Sequence, residues 1–428
     1  MSKQTIGCLA LVLVALCITG LFVYQLPPVY DRVGWRVDQL RASILYAIKP
    51  PEQVEFEPVG ETLPGLSDQL PTATPTPAFT NTPIPPGPTD TPTATPTVTL
   101  TPTPIPGQAL LSGFTHMYQS WNNCGPANLA MALTYWGWEG DQRDTAAFLK
   151  PNARDRNVMP YEMQDYVQTE AGLGAAVRVG GNLQMLKAFV AAGIPVIVEK
   201  GFEGVGFDGW MGHYEVVNGY DDAAQVFYVQ DSYKGPDLEI PYDELSEQWR
   251  AFNNTYIVVY PPEREAEVLS ILGPQSDPDA NFQFALQKAI EETGKLNGRD
   301  QFFARFNQGS NLVALHDYQA GATAFDAAFA NYNLLAEGER PWRMMWYQTG
   351  PYFAYYYTGR YQDVIDLANT TLGLTSEPNL EESYYWRGRA RLALGDVDGA
   401  IQDFQASLKH HKDFQPALEQ LGLLGVTP

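Results

Sequence analysis

Apolar positions recur at helical spacing along "CGPANLAMALTYWG" (residues 124–137), with Leu129, Ala132, Leu133 and Trp136 on one face and Gly137 placed to end the helix. A second helix is expected over "NLQMLKAFVAAG", capped by Asn182 and closed by Gly193. The pattern then changes period. "IPVIVE" from Ile194 reads as a buried strand, and "HYEVVNGY", "QVFYVQD" and "TYIVVY" supply three more. Residues 107–263 are therefore expected to form one α+β domain, helices first and sheet after.

From about residue 276 to 428 the chain becomes helical and repeats itself. "HDYQAGATAFDAAF" from His316, "GRYQDVIDLANTTL" from Gly359 and "GDVDGAIQDFQASL" from Gly395 align at spacings of 43 and 36 residues. Small residues such as Gly321 and Ala400 fall where paired helices touch, and Phe325, Leu367 and Phe404 follow one turn on. The region resembles tetratricopeptide repeats, whose period is about 34 residues. The longer first interval implies an insertion such as "AEGERPWRM". Stacked helix pairs leave a concave groove suited to a protein partner. The tyrosines of "WYQTGPYFAYYYTGRY" either line that groove or pack in the core.

The N-terminus has a different pattern. Ile6 to Tyr24 carries no charge and is about as long as the ~20 residues that span a bilayer as a helix. Residues 1–28 are read as a single transmembrane anchor, with a cleaved signal peptide as the alternative. Residues 29–70 form a juxtamembrane segment with Val33, Val37, Leu40, Ile44 and Ile48 on one face. Residues 71–106 are a Thr/Pro tract in which proline forbids helix and sheet interior, giving a disordered, extended stalk at about 3.1 Å per residue. Arg32, Arg36, Arg41 and Lys49 after the span favour a cytoplasmic C-terminal side, whereas a Thr/Pro stalk suits a protein standing off a membrane. The stalk is given more weight: a single-pass protein of the cell membrane with its globular domains extracytoplasmic is expected.

Charge narrows the partners. The formal net charge is -22, with 49 acidic against 27 basic side chains, which excludes nucleic acid as an expected partner. The five histidines are too scattered for a zinc site and no phosphate-binding glycine loop is present, so no cofactor is expected.

Cys124 is the only cysteine beyond the first two dozen residues, and it opens a helix. A thiol becomes nucleophilic when a helix N-terminus and a histidine lower its pKa. His213 opens the strand "GHYEVVNGYD", whereas His116 precedes the cysteine and is read as structural. An orienting acid is needed to hold the imidazole, and Asp231 at the end of the next strand meets that need, with Asn218 the weaker choice. Gln119, five residues before the cysteine, offers an oxyanion donor alongside the Cys124 N–H. In the glycine-rich loop "GFEGVGFDGWMG", Phe202, Phe207 and Trp210 are candidate peptide contacts, or else the loop is only a connection.

These features together, from Gln119 and "CGPA" through "GIPVIV" to "HYEVVNGYD" and "VQD", resemble the papain-like cysteine peptidases of the bacteriocin-processing, double-glycine-leader type in standalone form. The likeness covers about residues 110 to 260. It implies Cys124 as nucleophile, His213 as general base, Asp231 as orienting residue and Gln119 as oxyanion donor. Two departures stand out: Gln119 lies five rather than six residues ahead of the cysteine, and Ser232 follows Asp231 where the family more often has proline. The expected function is cleavage of a peptide or protein through a thioester acyl-enzyme, with a transferase as variant. A catalytically silent surface scaffold is the alternative.

Overall fold

The computed structural model of the chain describes residues 27–61, 105–203 and 209–427, with a few single positions before residue 27. Its centre is an antiparallel sheet of β1 (Gln108–Leu110), β2 (Gly174–Arg178), β3 (Val196–Phe202), β4 (Met211–Asp221), β5 (Val226–Asp231), β6 (Gly235–Pro241) and β7 (Tyr256–Tyr260). Spatial order is β2-β7-β3-β4-β5-β6, and β1 pairs with the end of β4.

Successive strand side chains point to opposite faces, and here both faces are covered. Ile197, Tyr214, Val216, Ile257 and Val259 pack beneath Leu129 and Leu133 of helix Cys124–Tyr135. Val196, Val198, Val217, Tyr256 and Val258 pack against Leu186 and Phe189 of helix Leu183–Ala191 and Trp249 of helix Tyr242–Arg250. Double coverage is why "IPVIVE" is continuously apolar. The expected caps are also in place: Asn182 accepts from the Met185 N–H, and Gly193 takes φ 75° after that helix.

C-terminal to the sheet the described residues are helical. Three hairpins follow one another: Gly298–Ala314 with Tyr318–Asn333, Gly350–Tyr357 with Tyr361–Gly373, and Glu381–Ala393 with Val397–His410. The three mutually similar sequence segments are their second helices. Each is preceded by a left-handed residue at the equivalent turn, namely His316 at φ 63°, Gly359 at φ 74° and Gly395 at φ 85°. In the first hairpin a Cβ at Gly309 would lie 2.7 Å from the Phe325 ring, and in the third one at Gly388 would lie 2.8 Å from Phe404. Small residues thus let the paired helices approach. Tyr352 and Tyr355 are fully buried, so much of the tyrosine-rich segment is core rather than groove lining.

The helical region and the sheet domain are not beads on a string. Trp210, Ala251 and Phe252 belong to the same apolar cluster as Phe302, Phe306 and Phe325. The segment "AEGERPWRM", expected as an insertion, leads into the short helix Met344–Tyr347 and docks back onto the sheet domain, with Arg343 Nη1 donating to the Trp210 carbonyl at 2.9 Å.

The N-terminal segment changes the expected picture most. Helix Pro27–Ile48 is present, but its apolar positions Leu40, Ile44 and Ile48 are exposed, while Tyr46 on another face packs edge-on to Trp342 at 5.1 Å. Val33's side chain lies outside the described residues. Past that helix, Phe56 inserts into the helical core with its ring 4.8 Å from Phe329, and the Val59 and Gly60 N–H groups donate to the Asp363 carboxylate at 2.6 and 3.1 Å. On the far side of the Thr/Pro tract, the Tyr220 hydroxyl donates to the Pro106 carbonyl at 2.6 Å. The described residues flanking the tract, Gly60 and Pro106, therefore contact one body. Residues 27–61 thus lie on the domains, and the expected stalk falls, up to residue 104, on residues outside those described. Residues 71–104 themselves, and all but a few positions of the apolar run from Ile6 to Tyr24, lie outside the described residues. No described helix is long and apolar enough to cross a membrane.

Phe56 is 7 % exposed although it belongs to a segment remote in sequence from its neighbours. Phe56→Ala is expected to lower stability by about 3 kcal/mol and to make residues 51–61 susceptible to protease. An unchanged denaturation midpoint with unchanged proteolysis would contradict this docking.

Candidate active site

Cys124 is the first residue of its helix, and the turn that delivers it is clamped. Asn122 takes φ 49°, a left-handed conformation that asparagine tolerates better than most residues. Lys150 Nζ donates to the Trp121 and Asn122 carbonyls at 3.3 and 3.1 Å. Gln142 Oε1 accepts from the Ser120 N–H and from Asn123 Nδ2, both at 2.7 Å. Gly125 packs closely behind the thiol: a Cβ there would stand 3.2 Å from Val158 Cβ, and the valine would have to give by a few tenths of an ångström.

His213 lies near the start of β4 and Asp231 ends β5. These strands pair antiparallel, Val216 opposite Gln230 and Asp221 opposite Val226, so the hairpin brings the start of one beside the end of the other. His213 Nε2 is 2.9 Å from Asp231 Oδ1, and both side chains are buried. Cys124 and His213 both line the cleft and lie close enough for each to shift the other's pKa. Asp231 Oδ1 also accepts from the Tyr233 and Lys234 N–H groups at 2.7 and 3.1 Å, which fixes the carboxylate.

The electrostatics follow from this geometry. Burial pushes the Cys124 thiol up, but the hydrogen bond and charge of His213, with the Tyr214 and Gly125 amides, outweigh it and leave the pKa lowered. Burial pushes His213 down, yet its bonds to Asp231 and Cys124 raise it to about 9. Burial likewise opposes ionisation of Asp231, and the His213 hydrogen bond and charge overcome it, holding the carboxyl well below its usual range. A thiolate–imidazolium pair is the state these interactions favour.

Gln119 joins the site through a residue that sequence reasoning marked only as a departure. Its N–H donates to the Ser232 carbonyl at 2.8 Å, and its Oε1 accepts from the Ser232 hydroxyl at 2.8 Å. Asn128 Nδ2 in turn donates to Ser232 Oγ at 2.9 Å and to the Cys124 carbonyl at 2.9 Å. With its oxygen so engaged, the Gln119 amide has its NH2 as the remaining donor in the cleft it shares with Cys124. Asn128 was passed over in the sequence, although a polar side chain in a largely apolar helix four residues after the cysteine was the signal available.

The aromatic candidates separate. Phe202 is buried with its ring 5.1 Å from the His213 ring, so it packs on the imidazole while bordering the cleft. Trp210 does not contact the cleft: it is 3 % exposed and stacks 5.7 Å from Phe252 in the core shared with the helical region. Its sequence neighbours hid this, because the burying surface comes from the helices after residue 276. Phe207 lies outside the described residues. Asn218 faces away, donating to Asp237 at 2.9 Å, and His116 Nδ1 contacts Gln230 at 3.2 Å. Among the described residues no group of three or more His, Cys, Asp or Glu is placed to hold a metal ion.

Cys124, His213 and Gln119 open into a cleft of about 1400 Å³. Its walls include Arg36, Gln39 and Tyr46 of helix Pro27–Ile48 and Arg343, Trp346 and Tyr347 of the helical region. Neither wall was legible in the sequence.

A helix carrying a cysteine, packed on an antiparallel sheet that supplies a histidine and an aspartate, defines a papain-like cysteine peptidase fold. Residues 111–257 match the family described as Peptidase_C39 like. Among solved structures, the chain is similar to a protein described as a C39-like peptidase from Bacillus anthracis, at 19% identity over 36% of this chain and 96% of that one, with a TM-score of 0.30. It is also similar to a double glycine motif protease from an AMS/PCAT transporter, solved with its leader peptide, at 20% identity over 36% of this chain and 98% of that one, with a TM-score of 0.27. Among curated proteins no sequence matches.

The raised pKa of His213 means that the imidazole keeps its proton as pH rises past 6.5 and loses it near 9. An NMR titration of its ring is expected to show that midpoint, and a lower one in Cys124→Ala, where the thiolate is gone. A midpoint at the ordinary value in the unsubstituted protein would contradict the ion pair.

Proposed function

We propose that this chain is a membrane-tethered, extracytoplasmic cysteine peptidase in which Cys124, His213 and Asp231 act as a triad and Gln119 as an oxyanion donor. The observation that carries the reading is the position of His213, 2.9 Å from Asp231 through Nε2 and near enough to Cys124 for the thiol and the imidazole to shift each other's pKa. The tether is the apolar run from Ile6 to Tyr24. The hairpins of the helical region, in this reading tetratricopeptide-like repeats, position the substrate or a protein partner.

The Cys124 thiolate attacks the peptide carbonyl carbon, and the oxygen, now an oxyanion, accepts from the Gln119 NH2 and the Cys124 backbone N–H. The His213 imidazolium gives its proton to the departing amine as the C–N bond breaks, leaving a thioester on Cys124. Water, deprotonated by His213, then cleaves the thioester and restores the thiolate–imidazolium pair. Asp231 stabilises the imidazolium throughout without carrying the proton.

Cys124→Ala is expected to lower kcat/KM on a cleaved peptide by about 100,000-fold, and Asp231→Ala by about 10–100-fold less than that, because it orients rather than reacts. Cleavage by the unsubstituted protein is expected to fall as pH rises through about 9, where His213 loses the proton needed by the leaving amine. Turnover retained in Cys124→Ala defeats the proposal.

A further inference from the structure

Helix Pro27–Ile48 has two unlike faces. One meets the folded body: Arg36, Gln39, Ala42 and Tyr46 border the cleft, and Tyr46 packs on Trp342. The other carries Val37, Leu40, Ile44, Ala47 and Ile48, which share a side at helical spacing and include no charge. Leu40, Ile44 and Ile48 are 61, 54 and 79 % exposed. A single exposed leucine is ordinary on a protein surface. Among the described residues, however, no other helix exposes three large apolar side chains. An apolar stripe of this kind turned to water marks an interaction surface.

The neighbouring chain says what covers the stripe. The uncharged run Ile6–Tyr24 is separated from Pro27 by only Gln25 and Leu26. Tyr24, at the end of that run, is already on the folded body, since Arg154 Nη2 donates to its hydroxyl at 3.3 Å. Arg154 also pairs with Glu377, and Glu377 accepts from Arg41 of the helix at 3.2 Å. The end of the run, the helix, the sheet domain and the start of the third hairpin therefore meet at one cluster. With Ile6–Tyr24 across a bilayer, Tyr24 stands at the exit, where tyrosine is favoured, and the body bonded to it lies at the lipid surface. Proline at the first helical positions lets the next helix start in a new direction, because it fixes φ and no N–H is needed there. An amphipathic helix so placed is stabilised by turning its apolar face into the lipid.

We infer that helix Pro27–Ile48 lies in the membrane–water interface, with Leu40, Ile44 and Ile48 among the lipid chains and the opposite face holding the folded body. This rests on the membrane tether of the proposed function and adds the surface that fixes the cleft relative to the bilayer. An α-helix with its side chains is about 10–12 Å across. The cleft wall that carries Gln39 and Tyr46 accordingly stands about one helix diameter from the lipid.

The test uses the full chain reconstituted into phosphatidylcholine vesicles, with Cys8, Cys17 and Cys124 replaced by alanine. A nitroxide is attached at Leu40→Cys, Ile44→Cys or Ile48→Cys, one position at a time. Leu110→Cys is the reference, an exposed site opposite Gly219 and so toward the far end of β4 from His213. Oxygen concentrates in lipid, whereas a charge-neutral nickel chelate supplied on both sides of the membrane stays in water. Paramagnetic relaxation by the two therefore tells lipid, water and protein apart. At the three stripe positions, relaxation by oxygen is expected to exceed that at Leu110, and relaxation by the chelate is expected to be lost. Chelate relaxation equal to that at Leu110 means that the stripe faces water. Loss of relaxation by both agents means that protein covers it, either residues 62–104 of this chain or a second copy. Either result overturns the inference. All three positions are exposed, so a label at each leaves the packed body intact. An alkaline carbonate wash of the same vesicles separates this idea from the tether. Protein that washes off defeats the tether and the inference together, and protein that stays embedded while its labels report water defeats the inference alone.

Discussion

The contact between His213 and Asp231 is the constraint on which the candidate site depends. Both groups are buried, and a buried charge is tolerated only when paired and hydrogen-bonded. Asp231 meets that condition with one histidine and two backbone N–H groups on a single oxygen. The imidazolium this stabilises is what lowers the Cys124 pKa against its own burial. The pairing is in turn a consequence of the β4–β5 hairpin, so the chemistry of the thiol depends on the register of two strands and on apolar cover on both faces of the sheet.

Around that centre the protein is more integrated than its linear order suggests. The sheet domain and the helical hairpins share an apolar cluster through Trp210 and Phe252, and Phe56 joins it from the N-terminal segment. The cleft is composite for the same reason: its outer walls belong to helix Pro27–Ile48 and to the connector around Trp346. The described segments on either side of the Thr/Pro tract, up to Gly60 and from Pro106, both contact this body.

Local chemistry made part of this legible. Period-2 and helical spacing located helix Cys124–Tyr135, helix Leu183–Ala191 and strands β3, β4, β5 and β7, because each buries an apolar face that its own residues declare. Strands β2 and β6 were not found, since "GAAVR" and "GPDLEIP" carry little apolar alternation and are strands by virtue of their neighbours. Cys124, His213 and Asp231 were legible because a nucleophile, a base and an orienting acid have fixed requirements of element and order. Ser232 and Asn128 were not assigned, because their value lies in reaching Gln119 across the chain. Trp210 was misread for the converse reason: a glycine-flanked aromatic looks exposed until a distant helix covers it. The apolar stripe Leu40, Ile44 and Ile48 was found correctly as a face, but periodicity does not say that the opposite face would meet the cleft.

The central claim is that Cys124 is an activated nucleophile held as a thiolate by His213. It is tested most directly by the rate at which iodoacetamide alkylates Cys124 as a function of pH, followed by mass spectrometry of the peptide containing that residue, beside the His213→Ala variant. The account predicts rapid alkylation well below the unperturbed thiol pKa of about 8.5, with that low-pH reactivity lost in the variant. Slow alkylation that titrates at the ordinary thiol value in both proteins would contradict it.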